Sequence, residues 1–277
     1  MAKNNLIAPV LKWVGGKRQL LDAIIALKPT RFRSYYEPFV GGGAVFFHLQ
    51  PKKAIINDAN AELINVYKVI RDSPKALIDD LMSHKNEVDY FYRIRGLDRL
   101  PNYPDLSDIK RASRLIYLNK TCYNGLYRVN SAGEFNTPFG RYKNPNFINE
   151  PTIKAVSRYL NTPTIQILNI DYEQALAEAT RDDFVYLDPP YHPVSQTANF
   201  TGYVRGGWGE EDQVRLRNVC DDLNERGVKF LLSNSATAFI GGLYANYHIH
   251  TVKATRAVNS NAAKRGEIDE YLIRNYD

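Results

Sequence analysis

The stretch Asp188-Pro189-Pro190-Tyr191 combines residue types that could do chemistry. A carboxylate, two residues without a backbone N–H and a flat phenol follow one another without a gap. An ionised carboxylate only accepts hydrogen bonds, and a proline contributes a carbonyl without contributing a donor. Asp188 and the Pro189 carbonyl therefore suit a nitrogen that carries two hydrogens, while the Tyr191 ring offers a face for stacking. Together they fit a planar ring bearing an amino group. The preceding run, Phe184-Val185-Tyr186-Leu187, is short and apolar and reads as a buried strand. Pro189 and Pro190 cannot donate to a sheet ladder, so the strand must end there in a stiff turn, at the end where open α/β sheets bind ligands.

A second set of residues lies near the amino terminus. Tyr35 to Val40 reads as a strand, followed by Gly41-Gly42-Gly43 and a helical run from Ala44 to Leu49. Such a glycine turn lets a ligand approach the backbone above a helix start, as in nucleotide-binding α/β folds. A further strand, Ala54 to Asp58, ends in a carboxylate about fifteen residues beyond the glycines, close to where such folds grip ribose hydroxyls. The G-x-G-x-x-G spacing is not met, since Val45 and Phe46 fill the later positions, which argues against a nicotinamide cofactor. Upstream, Lys12, Trp13 and Lys17 surround Gly15-Gly16, and Arg18 to Leu27 reads as an amphipathic helix. Lys17 can meet an anion or carboxylate, and Trp13 can cover a flat ligand.

The rest of the chain supplies framework and a second surface. Its 277 residues, 44% hydrophobic and 24% charged, have the composition of a soluble globular protein. No apolar run approaches a membrane span, and the first residues lack a signal-peptide region, so a cytoplasmic location is expected. Two cysteines are too few for a disulfide framework, and the five histidines lack metal-ligand spacing, so no metal is expected. A net charge of +6 and 19 tyrosines suit a polyanionic partner with bases to stack.

From Ala61 to about Tyr159 the helical period replaces the strand signal. Within that region Asn119 to Pro145 is dense in amides, aromatic rings, glycine and basic residues, and Val129 and Phe135 flank a Ser-Ala-Gly turn, which predicts a hairpin. A hairpin can enter the major groove, where Arg128 can pair with guanine and Leu126 or Pro138 can meet a thymine methyl. Ile165 to Ile170 reads as a strand ending at Asp171-Tyr172, an acid and a ring expected to line the same pocket as Asp188. Ser195 to Trp208 suits a closing loop. A helix from Asp212 to Arg226 and strands at Lys229–Ser233, Tyr247–Lys253 and Tyr271–Asn275 complete the chain, with Arg256, Lys264 and Arg265 as candidate phosphate contacts.

Lys12-Trp13 with Gly15-Gly16-Lys17, Glu37-Pro38-Phe39 with its glycines, Asp58 and Asp188-Pro189-Pro190-Tyr191 together resemble the Dam-type adenine-N6 DNA methyltransferases, in the same order and over nearly the whole chain. The resemblance implies an α/β, Rossmann-like mixed sheet, mostly parallel with an antiparallel last strand. It implies a catalytic part at residues 1–60 and 162–277, and a helical target-recognition insertion with a β-hairpin at 61–161. It implies S-adenosylmethionine as cofactor, held by Trp13, Lys17, Phe39, Gly41, Gly43, Asp58, Asp171, Tyr172 and Asp188, and catalysis by Asp188, Pro189, Pro190 and Tyr191. It implies double-stranded DNA as partner, read at GATC by Lys12, Tyr123, Asn124, Leu126, Arg128, Asn130, Pro138, Tyr142, Ser195 and Thr197, with a cognate restriction endonuclease as a second candidate partner. By residues alone the amino group could belong to adenine, cytosine, RNA or a glutamine side chain, or the chain could bind DNA without catalysis. Relatives often carry Phe-Ser or Phe-Thr where this chain has Trp208-Gly209, so loop closure and helix capping are expected to differ there.

Overall fold

The computed structural model describes residues 3–13, 17–194, 207–255 and 267–277. Gly15, Gly16, Ser195, Thr197, Arg256, Lys264 and Arg265 lie outside the described residues.

The described residues form one seven-stranded sheet. β1 (Tyr35–Glu37), β2 (Ala54–Asn57), β3 (Ile165–Leu168), β4 (Phe184–Leu187), β5 (Lys229–Ser235), β6 (His248–Thr255) and β7 (Glu267–Arg274) stand in the order β3-β2-β1-β4-β5-β7-β6. β1, β2, β3, β4 and β5 pair in parallel, and β7 runs antiparallel to both β5 and β6. The mixed sheet with a reversed last strand is as the sequence implied. β1 is shorter than the expected run to Val40, because Pro38 has no N–H for the ladder. Beyond it, the Val40 N–H donates to the Asn57 carbonyl at 2.9 Å. β3 likewise stops at Leu168, short of Ile170.

Alternation along the strands divides the core into two layers. Tyr35, Ile56, Phe184, Tyr186 and Leu231 face one side with α1 (Leu21–Leu27), α2 (Ala44–Leu49) and α3 (Ala61–Asp72). Tyr36, Ile55, Val185, Leu187 and Leu232 face the other, with α8 (Tyr172–Leu176), α9 (Glu210–Glu225) and α10 (Ala238–Leu243). Helices on both faces explain why β4 is buried along its whole length and reads as an unbroken apolar run. The expected amino-terminal helix begins as a 3-10 turn at Lys17–Gln19 and becomes α1 at Leu21.

Between β2 and β3 come α3, α4 (Pro74–Met82), α5 (Val88–Arg95), α6 (Asp108–Thr121) and α7 (Glu150–Leu160). The Asn60 side chain caps α3 by accepting from the Leu63 N–H at 3.0 Å, and α3 turns Leu63, Val66, Tyr67 and Ile70 inward. Leu115, Ile116 and Leu118 of α6 and Ile153 and Val156 of α7 share their core with the sheet's first layer, so this helical run is welded to the sheet through one continuous apolar cluster.

β1 and β4 are neighbours, yet the chain leaves β1 toward β2 and β3 and returns to β4 on the other side. Between these two carboxyl ends lies the topological switch point, where doubly wound sheets open a crevice. Glu37-Pro38-Phe39 leaves one end and Asp188-Pro189-Pro190-Tyr191 leaves the other.

Candidate active site

Asp188 follows the last residue of β4, with 22% of its side chain accessible. Its Oδ1 accepts from Lys17 Nζ at 2.8 Å and from Ser233 Oγ at 3.0 Å. Burial raises the Asp188 pKa, and the Lys17 ammonium and the Ser233 hydroxyl act against that rise. Lys17 Nζ also stands 4.5 Å from the centre of the Tyr191 ring. Tyr191 is fixed at its far end, where its hydroxyl donates to Glu270 Oε2 at 2.8 Å. Ser233 is held in turn by Tyr186, their hydroxyl oxygens 3.1 Å apart.

The proline turn is anchored by side chains that the sequence reading missed. Gln213 of α9, almost wholly buried, donates to the Pro190 carbonyl at 2.9 Å, so that carbonyl is not the open acceptor that an isolated Pro-Pro turn would leave. Asn234 donates to Gln213 Oε1 at 3.0 Å and accepts the His192 N–H at 3.0 Å. The signal for these positioners was Ser233-Asn234-Ser235, three polar residues at the end of a buried strand, where unpaired polar groups are costly. His192 packs on Phe239 with ring centres 4.8 Å apart and takes no part in the carboxylate's contacts.

Across the crevice, Gly41 and Gly43 adopt φ values of +49° and +72°, which side-chain-bearing residues rarely hold. A Cβ on Gly41 would fall 2.8 Å from Trp13, so the indole lies directly against the turn. Trp13 also stacks on Tyr127, with centroids 4.8 Å apart. Asp58 staples the turn from β2: its Oδ2 accepts the Gly41 N–H and its Oδ1 the Asn60 N–H, both at 2.9 Å. Burial pushes the Asp58 pKa up to about 6. Glu37 is buried more deeply, and despite the Tyr35 hydroxyl that donates to its Oε2 at 2.7 Å, desolvation pushes its pKa up to about 8.

Phe39 meets Tyr172 at 5.1 Å and Trp208 edge-on at 5.6 Å, forming an aromatic wall beyond Asp58. Asp171, expected to line the pocket of Asp188, is engaged from α9. Arg215 grips its two oxygens at 2.8 and 3.1 Å, and the Asp171 carboxylate caps α8 by accepting the Glu173 N–H at 3.0 Å. At the expected departure after Trp208, the Gly209 N–H donates to Asp212 Oδ2 at 2.8 Å, which caps α9 without a serine or threonine.

Residues 13–258 match the profile of the D12 class N6 adenine-specific DNA methyltransferases. The chain belongs to that family. It is 44% identical over 279 residues to the type II methyltransferase M1.LlaDCHI of Lactococcus lactis subsp. cremoris, covering 100% of this chain and 98% of that relative. It is 42% identical to the type II methyltransferase M.MjaIII of Methanocaldococcus jannaschii, covering 98% and 99% of the two chains. With the DNA adenine methylase of Escherichia coli K12 it shares 35% identity, covering 95% and 93%. The protein is an adenine-specific DNA methyltransferase, and S-adenosylmethionine is its methyl donor.

The methyltransferase's residues fit that donor. Among the described residues Trp208 Nε1 is buried without a hydrogen-bond partner beside the Phe39 and Tyr172 rings, which leaves this aromatic wall one unspent donor. Asp58 and Asp171 each keep lone pairs for hydroxyl or amino hydrogens. Among the described residues no group of three or more His, Cys, Asp or Glu is placed to hold a metal. Among the same residues no helix is long and apolar enough to cross a membrane.

The residues expected to face DNA come from three segments. After α6, a 3-10 turn at Tyr123–Gly125 exposes Tyr123 and Asn124. The Asn124 N–H donates to the Tyr142 hydroxyl at 3.0 Å, and Lys12 Nζ lies 5.7 Å from the centre of the Tyr142 ring. Asn119, fully buried and missed by the sequence reading, ties these together: it exchanges hydrogen bonds of 2.8 and 2.7 Å with the Lys12 backbone and donates to the Gly125 carbonyl at 3.1 Å. The hairpin is present as a single antiparallel bridge, Val129 to Phe135, without extended strands. Arg128 Nε donates to Asn136 Oδ1 at 2.6 Å, and Asn130 Nδ2 to Glu134 Oε2 at 2.7 Å. Pro138 is exposed, whereas Leu126, its expected companion at the thymine, is covered in the free chain at 7% exposure.

Proposed function

We propose that the enzyme methylates N6 of an adenine flipped out of duplex DNA within GATC. The observation that carries the catalytic half is the convergence of Asp188, Lys17, Ser233 and Tyr191 at the switch point, where a carboxylate and a ring face stand together. An adenine inside a duplex cannot present its amino group in line with a methyl donor, so it must leave the stack at a cost of a few kcal/mol. Stacking on Tyr191 offsets roughly 1–3 kcal/mol of that. Asp188 and the Pro189 carbonyl accept the two amino hydrogens, which localises the nitrogen lone pair. S-adenosylmethionine supplies an electrophilic sulfonium methyl. Trp13, Lys17, Phe39, Gly41, Gly43, Asp58, Asp171 and Tyr172 would hold it, and Pro190 stiffens the turn that carries the acceptors. Catalysis is positioning and electrostatics, with no covalent enzyme intermediate.

The helical run 61–161 serves as the target-reading unit. Lys12 and Arg128 take guanines, Leu126 and Pro138 the thymine, Tyr142 the cytosine side, and Tyr123 and Asn124 help fill or hold the space around the flipped adenine. Asn130, Ser195 and Thr197 complete the DNA contacts. The meeting of Lys12, Asn124 and Tyr142 from separate segments supports this reading. Contact by Leu126 requires the turn to open when DNA binds. Two relatives are named type II methyltransferases, which favours a partner restriction endonuclease of the same specificity.

Sequencing DNA from a methylation-deficient host that expresses the chain, with detection of modified bases, reads base and motif together. N6-methyladenine confined to GATC is the expected result. Methyladenine in another motif would overturn the hairpin assignment and leave the catalytic one standing.

A further inference from the structure

The hairpin that carries Arg128 is short, closed by the Asn130 N–H to the Glu134 carbonyl at 2.9 Å and the Asn136 N–H to the Arg128 carbonyl at 3.0 Å, with the Phe135 ring buried beneath it. It makes one bridge and stands over a cavity of about 50 Å³ lined by Asp98, Arg114, Tyr127, Val129 and Phe135. A pair of side chains from the turn after α5 grips it from outside. Asp98 Oδ2 accepts the Phe135 N–H at 2.7 Å, and Arg99 Nη2 donates to the Phe135 carbonyl at 3.1 Å. Both backbone polar groups of one residue are thus clamped, as a neighbouring strand would clamp them.

The clamp is itself fixed. Arg114 of α6, with 5% of its side chain accessible, pairs with Asp98 Oδ2 at 2.8 Å. The same guanidinium donates to the carbonyls of Ile94 and Arg95 at 2.8 and 2.7 Å. A planar, multiply bonded arginine has little freedom to move. The residue after Phe135 is Asn136, whose amide oxygen receives Arg128 Nε. A continuous path therefore runs from α6 through Asp98 and the Phe135 backbone to Asn136 and the Arg128 guanidinium.

We propose that Asp98 is a positioning residue for sequence discrimination, acting through Phe135 and Asn136 to aim Arg128. The proposal rests on Arg128 reading a base. A bidentate contact to guanine discriminates only while both guanidinium and base are in register, so a loose hairpin weakens selectivity at that base before it weakens methyl transfer.

The test uses the full chain, tritiated S-adenosylmethionine, a GATC duplex and four duplexes each substituted at one base pair. Arg128→Ala identifies the position it reads, as the one where the ratio of cognate to substituted kcat/KM falls. At that position Asp98→Ala is expected to lower the ratio roughly tenfold, with the other positions and S-adenosylmethionine affinity unchanged. Asp98→Asn, which keeps an oxygen for the Phe135 N–H, restores most of the ratio. Asn136→Ala breaks the last link without touching the clamp and should give the same positional loss, which keeps the idea testable if Asp98→Ala fails to fold. Wild-type discrimination in folded Asp98→Ala or in Asn136→Ala, or an equal loss at all four positions, would overturn it. If Arg128→Ala itself alters no ratio, the base-reading assignment fails and the proposal falls with it, an outcome distinct from failure of the clamp alone.

Discussion

Lys17 Nζ lies 2.8 Å from Asp188 Oδ1 and 4.5 Å from the centre of the Tyr191 ring. In the free chain an ammonium therefore occupies the acceptor and faces the ring that are proposed to receive the target's amino group and base. The pairing also opposes the desolvation of Asp188.

Asp188→Ala is expected to abolish methyl transfer while leaving the fold intact. Single-turnover rates above about a tenth of wild type would contradict a barrier role, since each tenfold corresponds to 1.36 kcal/mol.

The Asp188 carboxylate accepts amino hydrogens most strongly when ionised, since protonation turns one oxygen into a donor, and burial raises its pKa. Activity should therefore be lost, as pH falls, at a higher pH than for a solvated aspartate. Lys17→Met removes the opposing charge, and the acid limb of the kcat/KM profile should move further upward. A limb that stays in place in Lys17→Met would separate that limb from Asp188.

Ser233→Ala deletes the hydroxyl that donates to Asp188 Oδ1 at 3.0 Å. A hydrogen bond to a charged group contributes about 1.5–3 kcal/mol, so kcat should drop between tenfold and a hundredfold if the bond persists in the transition state. Calorimetry should find the S-adenosylmethionine affinity close to wild type; a large loss of affinity would move Ser233 from the base side to the donor side.

Glu37 is buried with its pKa pushed up to about 8. Between the ordinary carboxylate range and that value the folded chain binds a proton that the unfolded chain does not, so stability falls as pH rises through this window. Glu37→Gln mimics the protonated form and should flatten the decline, which amounts to a few kcal/mol at most. Denaturant melts at pH 5 and pH 8 measure it, and equal slopes in both proteins would assign the pH dependence to other groups, Asp58 among them.

Gly43 combines φ +72° with a Cβ position 2.7 Å from the Tyr67 hydroxyl. Gly43→Ala should destabilise the fold by about 1–3 kcal/mol through backbone strain and displacement of Tyr67. Thermal melts with and without S-adenosylmethionine would show whether the donor recovers the loss.

The sequence by itself determined the local features. Pro189 and Pro190 fix their own φ and cannot donate, so β4 had to end just before Asp188, and the left-handed turn at Gly41 and Gly43 needs residues without Cβ. Alternation and helical period determined the strands and the placing of α1, α2, α3, α6 and α9, whereas α4, α5, α7, α8 and α10 were not read separately. The tertiary structure decided which polar groups meet, because hydrogen-bond partners far apart in sequence leave no periodic trace. Asn119 against Lys12, Gln213 against Pro190, Ser233 against Asp188 and Asp98 against Phe135 span 107, 23, 45 and 37 residues. Asp171 illustrates the limit: its place after β3 was legible, but Arg215, 44 residues away on α9, decides what its carboxylate holds.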